Sequence, residues 1–189
     1  MEEVTVVPDL RKQAAINGLI WAAINIAIFL IVYYVKPEFM SSMTYKILQL
    51  LIGIGLAVYF CLDLRTKAGG YFSFREALSL FFIMFLLQAV IVYAFTIIFG
   101  KYIEPEFATQ MVEMNKQSTA DMMEKMGASD DQIDEALGKN EEMLAKQFNP
   151  GPAQIAMSLG IIAIMYFVGA LIFAAIFKKE RPVFETTED

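Results

Sequence analysis

Four long apolar runs constrain this chain more than anything else in it: Ala14–Val35, Thr44–Leu62, Glu76–Gly100 and Ala153–Phe177. At 1.5 Å per residue the first spans about 33 Å as a helix, enough to cross a hydrocarbon core of about 30 Å. The second is shorter and has room to gain a turn at either end. The runs are apolar nearly all round rather than striped, which is how a helix surrounded by lipid looks. Composition agrees: 57% of residues are hydrophobic and 19% charged, less charge than a soluble domain of this size carries. The expectation is an all-α membrane protein, one membrane domain over residues 1–189. Its four transmembrane helices would occupy about 14–35, 44–62, 76–100 and 153–177. An extracytoplasmic amphipathic helical hairpin at 101–152 would join the third and fourth, and 178–189 would form a cytoplasmic tail. The first run is too long for the apolar core of a secretory signal and no small-residue cleavage site closes it, so it reads as an uncleaved anchor.

Basic residues orient the spans. Arg11, Lys12, Arg65, Lys67, Arg75, Lys178, Lys179 and Arg181 fall on one side in short segments, whereas the short loop opposite has only Lys36 and Lys46. The positive-inside rule then puts both termini and the loop between the second and third spans in the cytoplasm of a bacterial inner membrane. Residues 100–152 lie outside and carry eleven acidic residues and five lysines, a net charge equal to the −6 of the whole chain. That charge argues against nucleic acid as a partner. Cys61 is the only cysteine, so no intramolecular disulfide reports a redox compartment.

Pro-Glu-Phe occurs at 37–39 and again at 105–107, each time just past an apolar run and on the same side. Proline suits the first turn of a helix, where its missing N–H is not needed. Glutamate beside it favours the positive end of the helix dipole. Each segment therefore reads as a stop for a membrane helix and a start for a surface helix. Tyr34 and Tyr102, Val35 and Ile103, and Met43 and Met111 also align at this offset, which leaves a duplicated two-helix unit open beside two independent helix-end signals.

The outer segment shows a helical stripe of Phe107, Met111, Met114, Ser118, Met122 and Met126, closed by Gly127. Ser129 with Gln132 forms a capping box for a second helix, whose thinner stripe is Ile133, Leu137, Leu144 and Phe148. Six of the twelve methionines lie here, Met143 among them. Flexible methionine surfaces suit adaptable binding, so Phe107, Met111, Met114, Met122 and Met126 are candidates for docking a partner protein. The plainer reading packs the two helices on each other or lays them along the lipid interface.

Within the spans, Ala153, Ala156, Gly160, Ala163, Phe167, Ala170 and Ala174 follow heptad spacing, and nearly all are small. Such a seam lets helix backbones approach closely. The first run carries a mixed face of Ala14, Asn17, Gly18, Trp21, Ala22 and Asn25, and the second carries Gln49 with Gly53 and Gly55. Asn25 and Gln88 stand near the middle of their runs, where an amide without a hydrogen bond is expensive. They are candidates for a polar substrate site, or for amide bonds holding the bundle together. No Asp, Glu, Lys or Arg lies deep in a span, which weighs against an ion-coupled pump. There is no histidine, nucleophile motif, phosphate loop or metal-ligand spacing, so nothing points to an enzyme, a cofactor or a metal.

The connection AGGYFSFREAL at 68–78 contains a Gly69-Gly70 turn and a Ser73/Glu76 capping box. With IEPEF at 103–107, GASDDQIDEAL at 127–137, a last apolar helix and a basic tail, it resembles the bacterial membrane family catalogued as domain of unknown function 4199, found mainly in Bacteroidota. The resemblance implies a small four-span inner-membrane protein and no activity. It also points to a membrane-associated glycosyltransferase as a partner. The functional expectation is a non-catalytic accessory or scaffold subunit of a membrane complex, or a homo-oligomer. The alternative is a small-molecule or lipid carrier, flippase-like, that uses the midplane amides. A polar cavity reaching Asn25 and Gln88 would favour the second; a packed bundle would favour the first.

Overall fold

A computed structural model describes residues 9–148 and 150–180, with the side chains of 140–148 left aside. The expectations that rest on Met143, Leu144, Phe148, Asn149 and Arg181, and on the tail beyond it, lie outside the described residues. The described residues form six α-helices: α1 Leu10–Val35, α2 Met43–Lys67, α3 Phe74–Ile98, α4 Phe107–Lys125, α5 Asp130–Phe148 and α6 Pro152–Phe177. Among the described residues there is no strand, only an isolated antiparallel bridge between Phe72 and Lys179. α1, α2, α6 and α3 with the turn that follows it are long and apolar enough to cross a membrane. The molecule is a multi-pass membrane protein.

Local chemistry sets the helix ends. Asp9 caps α1 by accepting from the backbone N–H groups of Arg11 and Lys12 at 3.1 and 3.4 Å. α2 continues past Leu62 to Lys67 and ends on Gly69 and Gly70, whose φ values of 81° and 87° only glycine adopts freely. At α3, the Glu76 N–H donates to Ser73 Oγ at 3.3 Å and the Ser73 N–H donates to Glu76 Oε2 at 3.0 Å, a complete capping box. Gly127, at φ 78°, closes α4, with Ala128 N–H donating to the Met123 carbonyl at 3.0 Å.

The two Pro-Glu-Phe segments fold differently. Pro37 opens a single 3-10 turn, Pro37–Ser41, which passes straight into α2 through the Ser42 cap. Pro105 lies in a turn ahead of α4, which starts only at Phe107. Before it, α3 widens into a π-helical turn at Phe99–Ile103, where the Glu104 N–H donates to the Phe99 carbonyl at 2.8 Å.

α3 is the central helix and packs along α1 on one side and α6 on the other. The buried face of α1 is Ala14, Asn17, Gly18, Trp21, Ala22 and Asn25, with Tyr33 one end further on. α2 sits more loosely, touching α1 and, sparsely, α6. One core cluster fills the half of the bundle nearest the termini, around Ala14, Leu64, Phe81 and Met84, all 0% exposed. A second gathers Tyr33, Met40, Phe99 and Phe107 at the opposite end. The loop after α2 is clasped to the end of α6: Phe72 and Lys179 exchange backbone hydrogen bonds of 2.8 and 3.0 Å.

Candidate functional site

The bundle leaves a groove of about 610 Å³ between α1, α2, α3 and α6. Its size falls within the range of small-ligand sites. Asn25 from α1, Gln49 from α2 and Gln88 from α3 line it together with Trp21. The Gln49 amide N–H donates to Asn25 Oδ1 at 3.3 Å, across two helices. Asn25 is 9% exposed, Gln88 5% and Trp21 6%. Three enclosed polar atoms in this wall have no hydrogen-bond partner: Trp21 Nε1, Gln49 Oε1 and Gln88 Oε1. Such atoms carry a penalty of about 1–3 kcal/mol each when left unmade.

Toward the start of α1 and the end of α6 the groove is bordered by an aromatic layer. There Trp21 stacks on Phe60 with ring centroids 6.0 Å apart and meets the Phe85 edge at 5.6 Å, and Phe173 packs on Phe85 at 5.3 Å. The side walls include Leu50 and Ile54 of α2 and Met165 of α6, all strongly exposed, so the mouth opens between α2 and α6 toward the surroundings of the bundle. Gly53 lines the same groove, and a Cβ there would meet no atom within 4 Å. The loose seating of α2 makes the opening; a side chain at Gly53 would begin to fill it.

A second polar cluster lies nearer the termini. Asp63 Oδ2 accepts from Asn17 Nδ2 and from Lys67 Nζ, both at 2.8 Å, and Lys67 also donates to Gln13 Oε1 at 3.3 Å. Asn17, 3% exposed, is satisfied by a carboxylate from a different helix. Asp63 directly follows the second apolar run, and the sequence gives no sign of this pairing because it joins residues far apart in the chain. Among the described residues no three His, Cys, Asp or Glu side chains come together to hold a metal.

The candidate packing and docking residues divide by burial. Gly18 meets α3 so closely that a Cβ would lie 2.8 Å from the Met84 carbonyl oxygen. Ala170 is 0% exposed and Ala163 half-buried, but Ala156 and Gly160 face outward, and a Cβ on Gly160 would meet nothing within 4 Å. Within the chain, α6 therefore makes its close contact at Ala170 and Ala174 rather than along the whole seam. Phe107 corrects the docking expectation: it is 1% exposed, because its ring is held by Phe29, Tyr33 and Phe99 at centroid distances of 5.5, 5.5 and 5.3 Å. Gly100 makes the seat, since a Cβ there would stand 3.2 Å from the Phe107 ring. Met111 packs partly against the same cluster and Met114 is half-buried, whereas Met122 and Met126 are exposed. Ser118 Oγ donates to the Ser41 carbonyl at 3.2 Å, tying α4 to the turn before α2.

Residues 16–179 match the family model described as Protein of unknown function (DUF4199), and the chain belongs to that family. No curated protein and no solved structure matches it.

Proposed function

We propose that this member of the DUF4199 family is a non-catalytic intramembrane binding protein, a carrier that takes an amphiphile from the bilayer into the groove between α2 and α6. One observation carries the reading: a cavity in the apolar belt, open sideways, whose lining brings together Trp21, Asn25, Gln49 and Gln88 from three helices. An aromatic layer at Trp21, Phe60 and Phe85 borders one end, and in this reading the groove is entered from lipid. The proposal includes a bacterial inner-membrane location with both termini in the cytoplasm, on the bias of basic residues described above. It also makes α4 and α5 an extracytoplasmic hairpin. The test is purification of the full chain in mild detergent with mass spectrometry of the co-purifying lipid. The wild-type chain should retain a defined lipid that Gly53→Phe loses while remaining folded. Equal lipid content in both would overturn the reading.

A second reading, an accessory or scaffold subunit of a membrane complex, has its own support. α6 packs chiefly on α3 and presents Ala156 and Gly160 outward, a surface onto which another helix could close. Met122 and Met126 extend an apolar edge on α4. A membrane glycosyltransferase, a different protein or a second copy would each fit such a surface. Photo-cross-linking from positions 160 and 122 in native membranes tests it: products with protein support the subunit, and products with lipid alone remove it.

A further inference from the structure

Resting on the groove reading, we propose that the first half of α2 is the groove's gate, bending at Gly53 and Gly55 against a fixed second half. α2 is packed along only part of its length. Its buried residues are Ala57, Phe60, Cys61 and Leu64, which share one helix face at i, i+3, i+4 and i+7. No residue from 43 to 56 is buried. Polar groups also bolt the second half: Asp63 accepts from Asn17 of α1 at 2.8 Å, and Lys67 donates to Gln13 at 3.3 Å. Phe60 stacks there on Trp21. α1, by contrast, buries residues near both of its ends, Ala14 and Tyr33. A segment with few buried contacts is the one that opens first.

The groove is the space that this uneven packing leaves. α2 lines it with Tyr45, Gln49, Leu50, Gly53, Ile54 and Ala57, all but the last from the unpacked half. Gly53 and Gly55 stand where the two halves meet. A Cβ on either would meet nothing within 4 Å, so close packing does not require a glycine at these positions. What glycine does supply is a helix that bends cheaply. Two contacts latch the gate in the closed position seen here. Gln49 Nε2 donates to Asn25 Oδ1 at 3.3 Å, a long bond for an amide pair. At the far end Ser118 Oγ of α4 donates to the Ser41 carbonyl at 3.2 Å, beside the buried Met40. Opening withdraws this turn from α4, so α4 acts as a strap on the gate.

The test follows distances in the full chain, held in nanodiscs of phosphatidylethanolamine and phosphatidylglycerol. One spin-label pair is Leu48→Cys with Ile161→Cys, on the first half of α2 and on α6. The control pair is Leu62→Cys with Ile176→Cys, on the packed half of α2 and on α6. All four positions are exposed, and the wild-type chain with its buried Cys61 is the blank. Double electron–electron resonance should give a second, different separation for the first pair and one narrow separation for the control. Gly55→Ala stiffens the helix at an exposed position outside the groove and should lower the second component roughly threefold. Ser118→Ala removes the strap and should raise it. One narrow separation for both pairs, or a second component that Gly55→Ala leaves unchanged, overturns the gate. The groove reading keeps its own readout, the lipid that the wild type retains and Gly53→Phe loses. That loss together with a single separation overturns the gate alone. Two separations with equal lipid in both chains overturn the groove reading and the gate's role with it.

Discussion

A Cβ added to Gly18 would stand 2.8 Å from the carbonyl oxygen of Met84, closer than side-chain carbons approach backbone. This is where α1 meets the central helix α3. The neighbour is backbone, so it cannot rotate out of the way. Gly18→Ala should therefore destabilise the bundle by about 1–3 kcal/mol, the usual range for overpacking. Gly53→Ala, with open space around the new carbon, should leave the thermal midpoint in detergent unchanged or slightly raised. Equal midpoints for wild type and Gly18→Ala would show that α1 and α3 are not held at this distance.

Phe107 fills a ring cluster, and Met126, just past the end of the same helix, is 78% exposed. Phe107→Ala should cost about 3–5 kcal/mol and free the start of α4 from the bundle. Met126→Ser should stay within about 0.5 kcal/mol of wild type. Limited proteolysis within 107–125 reads the difference: rapid cleavage in the first variant and none added in the second. The opposite order would return Phe107 to the surface as a docking residue.

Asp63 serves partners on its own helix and on α1. Asp63→Ala strands the buried Asn17 amide, and a loss of about 1–3 kcal/mol is expected. Lys67→Met removes the half-exposed ion pair and the exposed bond to Gln13 and should cost about 0–1 kcal/mol. Chemical unfolding in detergent ranks the two. An Asp63→Ala variant as stable as Lys67→Met would mean that Asn17 finds another partner.

Topology has a clean assay because Cys61, the one native thiol, is 0% exposed and should stay unlabelled in the wild-type control. In intact spheroplasts, Ser129→Cys should react with a membrane-impermeant thiol reagent and Ala68→Cys should not. Labelling of position 68 alone would invert the orientation.

The spans, their helical type and their caps were legible in the amino-acid sequence for a physical reason. Bilayer crossing demands about twenty apolar residues whose backbone bonds close within the segment. Gly69, Gly70 and Gly127 stand at positive φ, and Ser73 with Glu76 forms a local box, so each signal lies within a few residues of its effect. The face of α1 from Ala14 to Asn25 was legible too, because its small and polar residues interrupt an otherwise apolar helix at helical spacing.

What local pattern did not decide is which way each apolar helix turns about its axis. In lipid, an outward leucine and an inward leucine look alike, so the stripe that orients a soluble helix is missing. Ala170 and Gly160 share one heptad seam, yet only packing against α3 determined that the first is buried and the second faces out. The same holds for Phe107, one member of a regular methionine stripe. Its burial follows from the π turn and from the space above Gly100 on a different helix. Asn25, Gln49 and Gln88 announced themselves singly as polar residues in apolar runs. That they face one groove, with Trp21 beside them, was set by the loose seating of α2 against α1 and α6, a property of the assembled bundle and of no segment within it.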